Sequence, residues 1–316
     1  MKVLMLSQAD VRELLDLDRL LDALEEGFRA LSSGRVDIAP RTSVNAEGQG
    51  FLQSMPGYAA GLGLGVKLVT GFPGNHLLGL PAHQALIALF DPATGSPLAV
   101  MDGTRITAIR TAGAAALSAR HLARKDARVL AILGAGVQGH AHLEILPRVR
   151  DFEDIRIASR SVESAQRLAA LDPRAHAVGD GEAAVRGADV VALCTSSVVP
   201  VIQRSWVSPG THVSSVGFAP PGGELDRELA ERSTLFVESR AVAFQPAPVG
   251  CMELVGMDAE QATEMGEVLL RTRPGRQSRE EITVYKSMGH AVEDLAAAGL
   301  VYRAAVASGA GSAFDL

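Results

Sequence analysis

The chain has 316 residues, a formal net charge of −6, 47% apolar residues and 4% aromatics. That length suits two domains with an aliphatic core, and an acidic balance with no basic stripe or stacking aromatic cluster excludes a nucleic-acid binder. Two cysteines, Cys194 and Cys251, are too few for a disulfide framework, and no run approaches the ~20 apolar residues of a membrane helix. The opening MKVLMLSQADV is interrupted by Asp10 and Arg12 before it reaches signal-peptide length. A soluble cytoplasmic protein is expected.

In chain order, Ser7–Leu31 reads as one helix, with Ser7 as cap, Asp10 three residues on, and apolar residues at Val11, Leu14, Leu15, Leu20, Leu21, Leu24 and Phe28. Gly34 ends it. From Val36 to Asp102 short extended segments follow, near 41–44, 50–55, 63–70, 83–90 and 97–101, with a hairpin turn at Phe90–Gly95. A mostly antiparallel sheet is expected there. A helix from Ile106 to Leu122 presents a face of small residues, and strands then alternate with helices. The strands fall near 128–134, 154–159, 174–178, 189–194, 211–216 and 234–238, with helices such as Ser161–Leu171 and Gly181–Arg186 between them. Beyond Pro248 the pattern gives a helix near 258–270, a polar stretch at 271–281, a helix near 289–299 and an alanine-rich tail. The alternation predicts an α/β fold, a Rossmann-type doubly wound parallel sheet beside a smaller α+β domain. The domain borders are expected at 118/119 and 299/300.

The most informative stretch is Arg128–Gly139, RVLAILGAGVQG. An apolar run of strand length enters Gly134-Ala135-Gly136-Val137-Gln138-Gly139, and helical spacing follows. This is the context in which GxGxxG reads as a dinucleotide fingerprint. Gly134 serves the tight turn, Gly136 the approach of a pyrophosphate, and Gly139 the close packing of helix on strand. Twenty residues after Gly139, where NAD sites usually carry an acid for the ribose hydroxyl, stand Ser159-Arg160-Ser161. Two hydroxyls around a guanidinium suit a 2′-phosphate, so NADP(H) is favoured and NAD(H) is possible. His140 and His142 are two apart and off a common helix face, so no metal site is expected.

Three cations of the first domain stand in apolar or glycine-rich surroundings: Arg41, Lys67 and Arg110. A lysine between Val66 and Leu68 must reach solvent or meet an anion. Together beside a nicotinamide site the three would receive a small carboxylate. Over nearly its whole length the chain resembles the ornithine cyclodeaminase/mu-crystallin family. The carriers are GVKLVTGFPGN (65–75), PAHQALIALFDPATGSPLAVMDGTRITAIRTAG (81–113), LGAGVQGHAHLE (133–144), HVSSVGF (212–218) and YKSMGHAVEDLAAAGLVY (285–302). The second and the last are similar to the mu-crystallin, or ketimine reductase, branch. The resemblance implies a homodimer formed through the sheets of the first domain (residues 1–118 with 300–316), an NAD(P)-binding domain over 119–299, and an active site in the cleft between them. It implies that Arg41, Lys67 and Arg110 hold the substrate carboxylate. It further implies that the cofactor meets Ala135, Val137, Gln138, Ser159, Arg160, Ser161, Thr195, Ser196, Val216 and Ser287, with His83, Arg110 and Thr111 near the nicotinamide end.

Three departures bear on the substrate. Cyclodeaminases of the family carry an aspartate soon after the strand at 212–217, whereas this chain reads Val216-Gly217-Phe218-Ala219 and has no acid before Glu224. The glutamate expected before the Met-Pro pair is Gln53. The acidic segment expected after strand 234–238 reads Gln245-Pro246-Ala247-Pro248. Together they remove the carboxylates that a diamino acid needs. The expected function is NAD(P)H-dependent reduction of a small cyclic ketimine, with Gln53 lining the substrate site and Lys67 or Arg110 acting on the substrate. Alternatives are a cyclodeaminase with tightly held NAD, an amino-acid dehydrogenase, or a non-catalytic ligand-binding protein.

Overall fold

The structure, a computed structural model, describes residues 2–315. The chain forms two compact units: one joins the chain up to Arg110 with everything from His290 on, and the other is Thr111–Gly289. Sequence alone sets these borders later, at 118/119 and 299/300. At the second border the difference arises from the terminal helix, Ala291–Ser308, which is a single element. It packs on the helix Leu17–Ser32 and on the strands Gly50–Ala59 and Gly63–Gly71 of the first unit.

The first unit is built on an eight-stranded sheet. Its order is Ser312–Asp315, Lys2–Leu6, Pro97–Asp102, His83–Phe90, Gly63–Gly71, Gly50–Ala59 and Val36–Ile38, and Thr42–Ala46 also pairs with Gly50–Ala59. All pairings are antiparallel except that of Lys2–Leu6 with Pro97–Asp102. The strands at the two chain ends are not legible from sequence, because each is short and its partner lies far along the chain. The single helix expected at 7–31 is two, Gln8–Leu14 and Leu17–Ser32. Ser7 and Asp10 close a reciprocal capping box, and Asp16 then caps the second helix by accepting from the amides of Asp18 and Arg19. The apolar spacing runs through the break and hides it.

Strand register assigns the faces, since side chains alternate along each strand. Met55, Lys67, Ile87 and Met101 lie in one cross-strand row. On the same face come Gln53, Val69 and Ala85, then Phe51, Gly71 and His83. Met55, Val69 and Ala291 pack together there with Ile38 and Ala85, beneath the terminal helix. The opposite face leaves Leu52, Tyr58 and Leu86 exposed.

The second unit holds an eight-stranded parallel sheet. Its order is Ala175–Ala177, Asp154–Ala158, Val129–Leu133, Val190–Leu193, His212–Ser215, Thr283–Lys286, Thr234–Val237 and Thr263–Glu264. The α/β, Rossmann-type architecture expected from the alternation is therefore present. The order reverses direction between Val129–Leu133 and Val190–Leu193, and ligands of such sheets bind outside the strand ends at that switch point. One interior strand, Thr283–Lys286, escapes the sequence pattern because it is four residues long and ends in a lysine. The helix expected at 258–270 is shorter, Met265–Leu270, preceded by a single turn and a two-residue strand. Among the described residues no helix is long and apolar enough to cross a membrane.

Candidate active site

The first unit gathers the cations expected from sequence and adds two acids. The pleat turns Lys67 to the interior face, where it is 2% exposed. Its Nζ hydrogen-bonds to Asp294 Oδ1 at 2.9 Å and lies 2.8 Å from Oδ2. Arg110, on the helix Gly103–Leu122, donates from Nε to the same Asp294 Oδ1 at 3.0 Å and from Nη1 to Glu293 Oε2 at 2.9 Å. Glu293 and Asp294 stand in the first turn of the terminal helix, where its dipole favours carboxylates. Glu293 also accepts the His290 amide at 2.6 Å, closing the helix cap. Buried charges persist only when paired in this way. The sequence shows three cations and no acid here. The acids are 183 and 184 residues from Arg110 in the chain, and only the fold brings them together.

The electrostatics follow from this crowding. Burial, then the Arg110 charge, pulls Lys67 from 10.5 down to about 8, with Arg41 adding to the fall and Asp294 opposing it. For Asp294, burial would raise the carboxyl, but Arg110 and Lys67 outweigh it and leave it below its ordinary value. Burial and the Arg41 charge hold His290 at about 4. Desolvation and Lys67 lower His83 as well. Glu293 and Asp294 pair with Arg110 and Lys67, and Arg41 adds a third positive charge near Lys67. Gln53 is buried on the same sheet face as Lys67. His83 lies at the end of that face, its ring edge-on to Phe51 with centroids 6.4 Å apart. Gly71 between them has no room for a side chain, since a Cβ would come within 2.3 Å of the Phe51 ring.

In the second unit the glycine-rich turn has the geometry of a phosphate cradle. Gly134 has φ +110°, and a Cβ there would meet the Cys194 carbonyl oxygen at 2.5 Å. A Cβ on Gly139 would meet the Gly134 oxygen at 2.1 Å. In front of Gly136 nothing lies within 4 Å. Gly136 caps the helix Val137–Ile145 without a side-chain hydrogen bond to its first amides, and Gln138 Oε1 is buried without a partner. Open backbone at a helix start fits a pyrophosphate. Next along, Ser161 caps the helix Val162–Ala169 by accepting from the Ser164 amide and donating to Glu163. Its hydroxyl is thus already engaged, while Arg160 is exposed beside it and Ser159 half-buried.

Acids also order the far strand ends, which corrects the last of the departures noted from sequence. Glu224, 1% exposed, turns back onto the strands it follows. Oε2 accepts from the Thr195 amide at 2.6 Å and hydroxyl at 2.7 Å, and Oε1 from Ser215 Oγ and the amides of Val216 and Gly217. An acid does end the strand Thr234–Val237: it is Glu238, which accepts from Ser287 Oγ and from the amides of Met288 and Gly289. Lys286 Nζ reaches Glu253 at 2.9 Å, the Gly217 oxygen at 2.8 Å and Ser215 Oγ at 3.1 Å. Burial alone would lower Lys286, but Glu253 and Glu224 raise it. So Thr195, Val216 and Ser287, all implied as cofactor contacts, are held by buried acids that sequence did not assign. Ser196 is exposed, and Thr111 directly follows Arg110 and is buried.

The profile of the ornithine cyclodeaminase/mu-crystallin family matches residues 1–309. The chain belongs to this family. It is 40% identical over 286 residues to the ketimine reductase mu-crystallin of Mus musculus, covering 89% of this chain and 90% of that one. It is also similar to the solved Δ1-pyrroline-2-carboxylate reductase of Thermococcus litoralis in complex with NADH and L-proline. There the TM-score is 0.92, with 32% identity over 98% of this chain and 99% of that one. An archaeal alanine dehydrogenase dimer with bound NAD gives a TM-score of 0.93 and 34% identity over the full length of both. Within the family, then, similar proteins include reductases of cyclic imines and a dehydrogenase of an open-chain amino acid.

Proposed function

We propose that the protein reduces a small cyclic 2-imino acid, of the pyrroline- or piperideine-2-carboxylate class, to the amino acid with NAD(P)H. The observation that carries this reading is the buried Lys67–Asp294–Arg110 cluster, in which an ammonium and a guanidinium are held side by side on one carboxylate and can receive a small carboxylate between them. The cofactor, when bound, supplies a hydride to C2 of the imine. Everything else falls to the chain's own residues. Arg41 and Arg110 bind and orient the carboxylate, and Glu293 and Asp294 fix the plane of the Arg110 guanidinium. Lys67, at about 8, is protonated at neutral pH yet close enough to deprotonation to give its proton to the imine nitrogen. In the reverse direction its neutral amine takes that proton back.

The glycine-rich turn receives the pyrophosphate, and Thr195, Val216 and Ser287 line the rest of the cofactor site. NADPH is preferred because Arg160 stands where an acid would exclude a 2′-phosphate. Ser161, whose hydroxyl is held by Glu163, adds less to that phosphate contact than Arg160 does. The exposed apolar face carrying Leu52, Tyr58 and Leu86 supports a homodimer formed through the first unit.

Absorbance at 340 nm tests the reading. Stoichiometric NADPH oxidation is expected with a cyclic 2-imino acid, and no ammonia from ornithine with catalytic cofactor, because Gln53 offers no base for the distal amine. Ammonia release from ornithine without added reductant would overturn it. Turnover with pyruvate and ammonia but none with cyclic imines would assign an amino-acid dehydrogenase instead.

A further inference from the structure

We propose that Asp294 is the positioning residue that keeps the Lys67 ammonium protonated and aimed for proton delivery to the substrate nitrogen. This rests on the reductase reading above and extends it to a residue that never touches substrate. Asp294 Oδ1 takes hydrogen bonds from both Lys67 Nζ and Arg110 Nε, and Oδ2 lies 2.8 Å from Nζ without a directed hydrogen bond. One carboxylate therefore fixes the ammonium against the guanidinium.

The charged groups around Lys67 come from every element packed on it. Arg110 comes from the helix Gly103–Leu122, Arg41 from the segment before Thr42–Ala46, and His83 from the neighbouring strand. The terminal helix brings Asp294, Glu293 and His290. Glu293 is turned onto Arg110 and the His290 amide, and His290 is neutral above about 4. Strand Gly50–Ala59 faces Lys67 with Met55 and Gln53, which carry no charge. Asp294 is thus the acid bonded directly to Lys67, and it works against two guanidinium groups and complete burial. Without its charge the ammonium loses its proton at lower pH. Both half-reactions then shift together: reduction needs Lys67 protonated, and oxidation of the amino acid needs it neutral.

The test uses Asp294→Asn in the full chain. Reduction of a cyclic 2-imino acid should lose kcat/KM along an alkaline limb near pH 8 in the wild type, and at least one pH unit lower in the variant. The acid limb of the oxidative direction should move down by the same amount, with KM for NADPH unchanged. A second readout needs no substrate. The chain has four lysines, Lys2, Lys67, Lys125 and Lys286, so the Cε resonance of Lys67 in lysine-labelled protein can be assigned by its loss in Lys67→Arg. It should titrate near 8 in the wild type and lower in Asp294→Asn. An unmoved midpoint overturns the proposal. A shifted midpoint in a protein that reduces no cyclic imine upholds the action of Asp294 on Lys67 and refutes the reductase reading instead. If Asp294→Asn does not fold, Asp294→Glu decides. It keeps the charge and should keep the Lys67 midpoint within half a unit of wild type, and a fall of a full unit would refute the proposal.

Discussion

Replacing Glu224 by Gln removes one charge and exchanges one acceptor for a donor at the point where two strand ends meet. Five donors converge on the carboxylate. A glutamine can keep its carbonyl toward Ser215, Val216 and Gly217, which turns its amide toward Thr195. The Thr195 hydroxyl can rotate and accept, but its backbone N–H, 2.6 Å from Oε2 in the native chain, then faces another donor. An orphaned buried donor costs about 1–3 kcal/mol, and loss of charge assistance takes roughly 1 kcal/mol from each remaining bond. Relief by movement is blocked, because even a Cβ on Gly217 would lie 2.5 Å from the Glu224 carboxyl carbon. The expected total is about 4–6 kcal/mol. Trp206, the single tryptophan, packs against the core of the same unit and reports its unfolding in guanidinium chloride by fluorescence. NADPH affinity, measured by cofactor fluorescence, should fall at least ~10-fold, about 1.4 kcal/mol, as Thr195 and Val216 lose their anchor. An unfolding free energy within ~1 kcal/mol of wild type would refute the hub assigned to Glu224.

Other consequences are equally direct. His142, His212 and His290 are buried and held by desolvation at about 4, 3 and 4. Below pH 6.5 the unfolded chain takes up protons that the folded one refuses, so their contribution is full above that pH and lost as pH falls toward the folded values. Between pH 7 and pH 5 each should cost roughly 1–2 kcal/mol, and equal denaturation midpoints at the two pH values would contradict this. Arg160→Ala should narrow the preference for NADPH over NADH by ~1–3 kcal/mol, and equal affinities of the wild type for both cofactors would remove its basis. Arg110→Lys keeps the charge but not the fork that spans Asp294 and Glu293, so kcat/KM for the imine should fall at least ~100-fold, about 2.7 kcal/mol. Unchanged kinetics would place Arg110 outside the site.

Much of this protein is local and therefore readable in its sequence. The Asp91–Gly95 turn is one such case: Asp91 accepts the amides of Ala93 and Thr94, and Gly95 takes φ +71°. The fingerprint is another, since Gly134 and Gly139 answer contacts with the adjoining strand end and within their own turn, while Gly136 faces open space. Lys67 was legible as a charge in an apolar strand that needed an anion. Which anion was not legible. Asp294 lies 227 residues away, on a helix whose alanine-rich sequence gives no sign that its first turn faces Lys67.

The same limit hid Glu224 and Glu238, which look like ordinary surface acids until the sheet closes and their oxygens become acceptors for neighbouring strand ends. It also hid the strand Thr283–Lys286, whose short, lysine-ended pattern makes sense only once Glu253 is opposite. Propensity, period and turn chemistry act over a few residues, so the sequence by itself determined most of the elements, the fold class and the residue types of the candidate site. Pairing of buried charges is settled by which distant segments the fold brings within 3 Å. The tertiary structure alone decided that Asp294 and Glu293 pair with Lys67 and Arg110, and that buried acids hold Thr195, Val216 and Ser287.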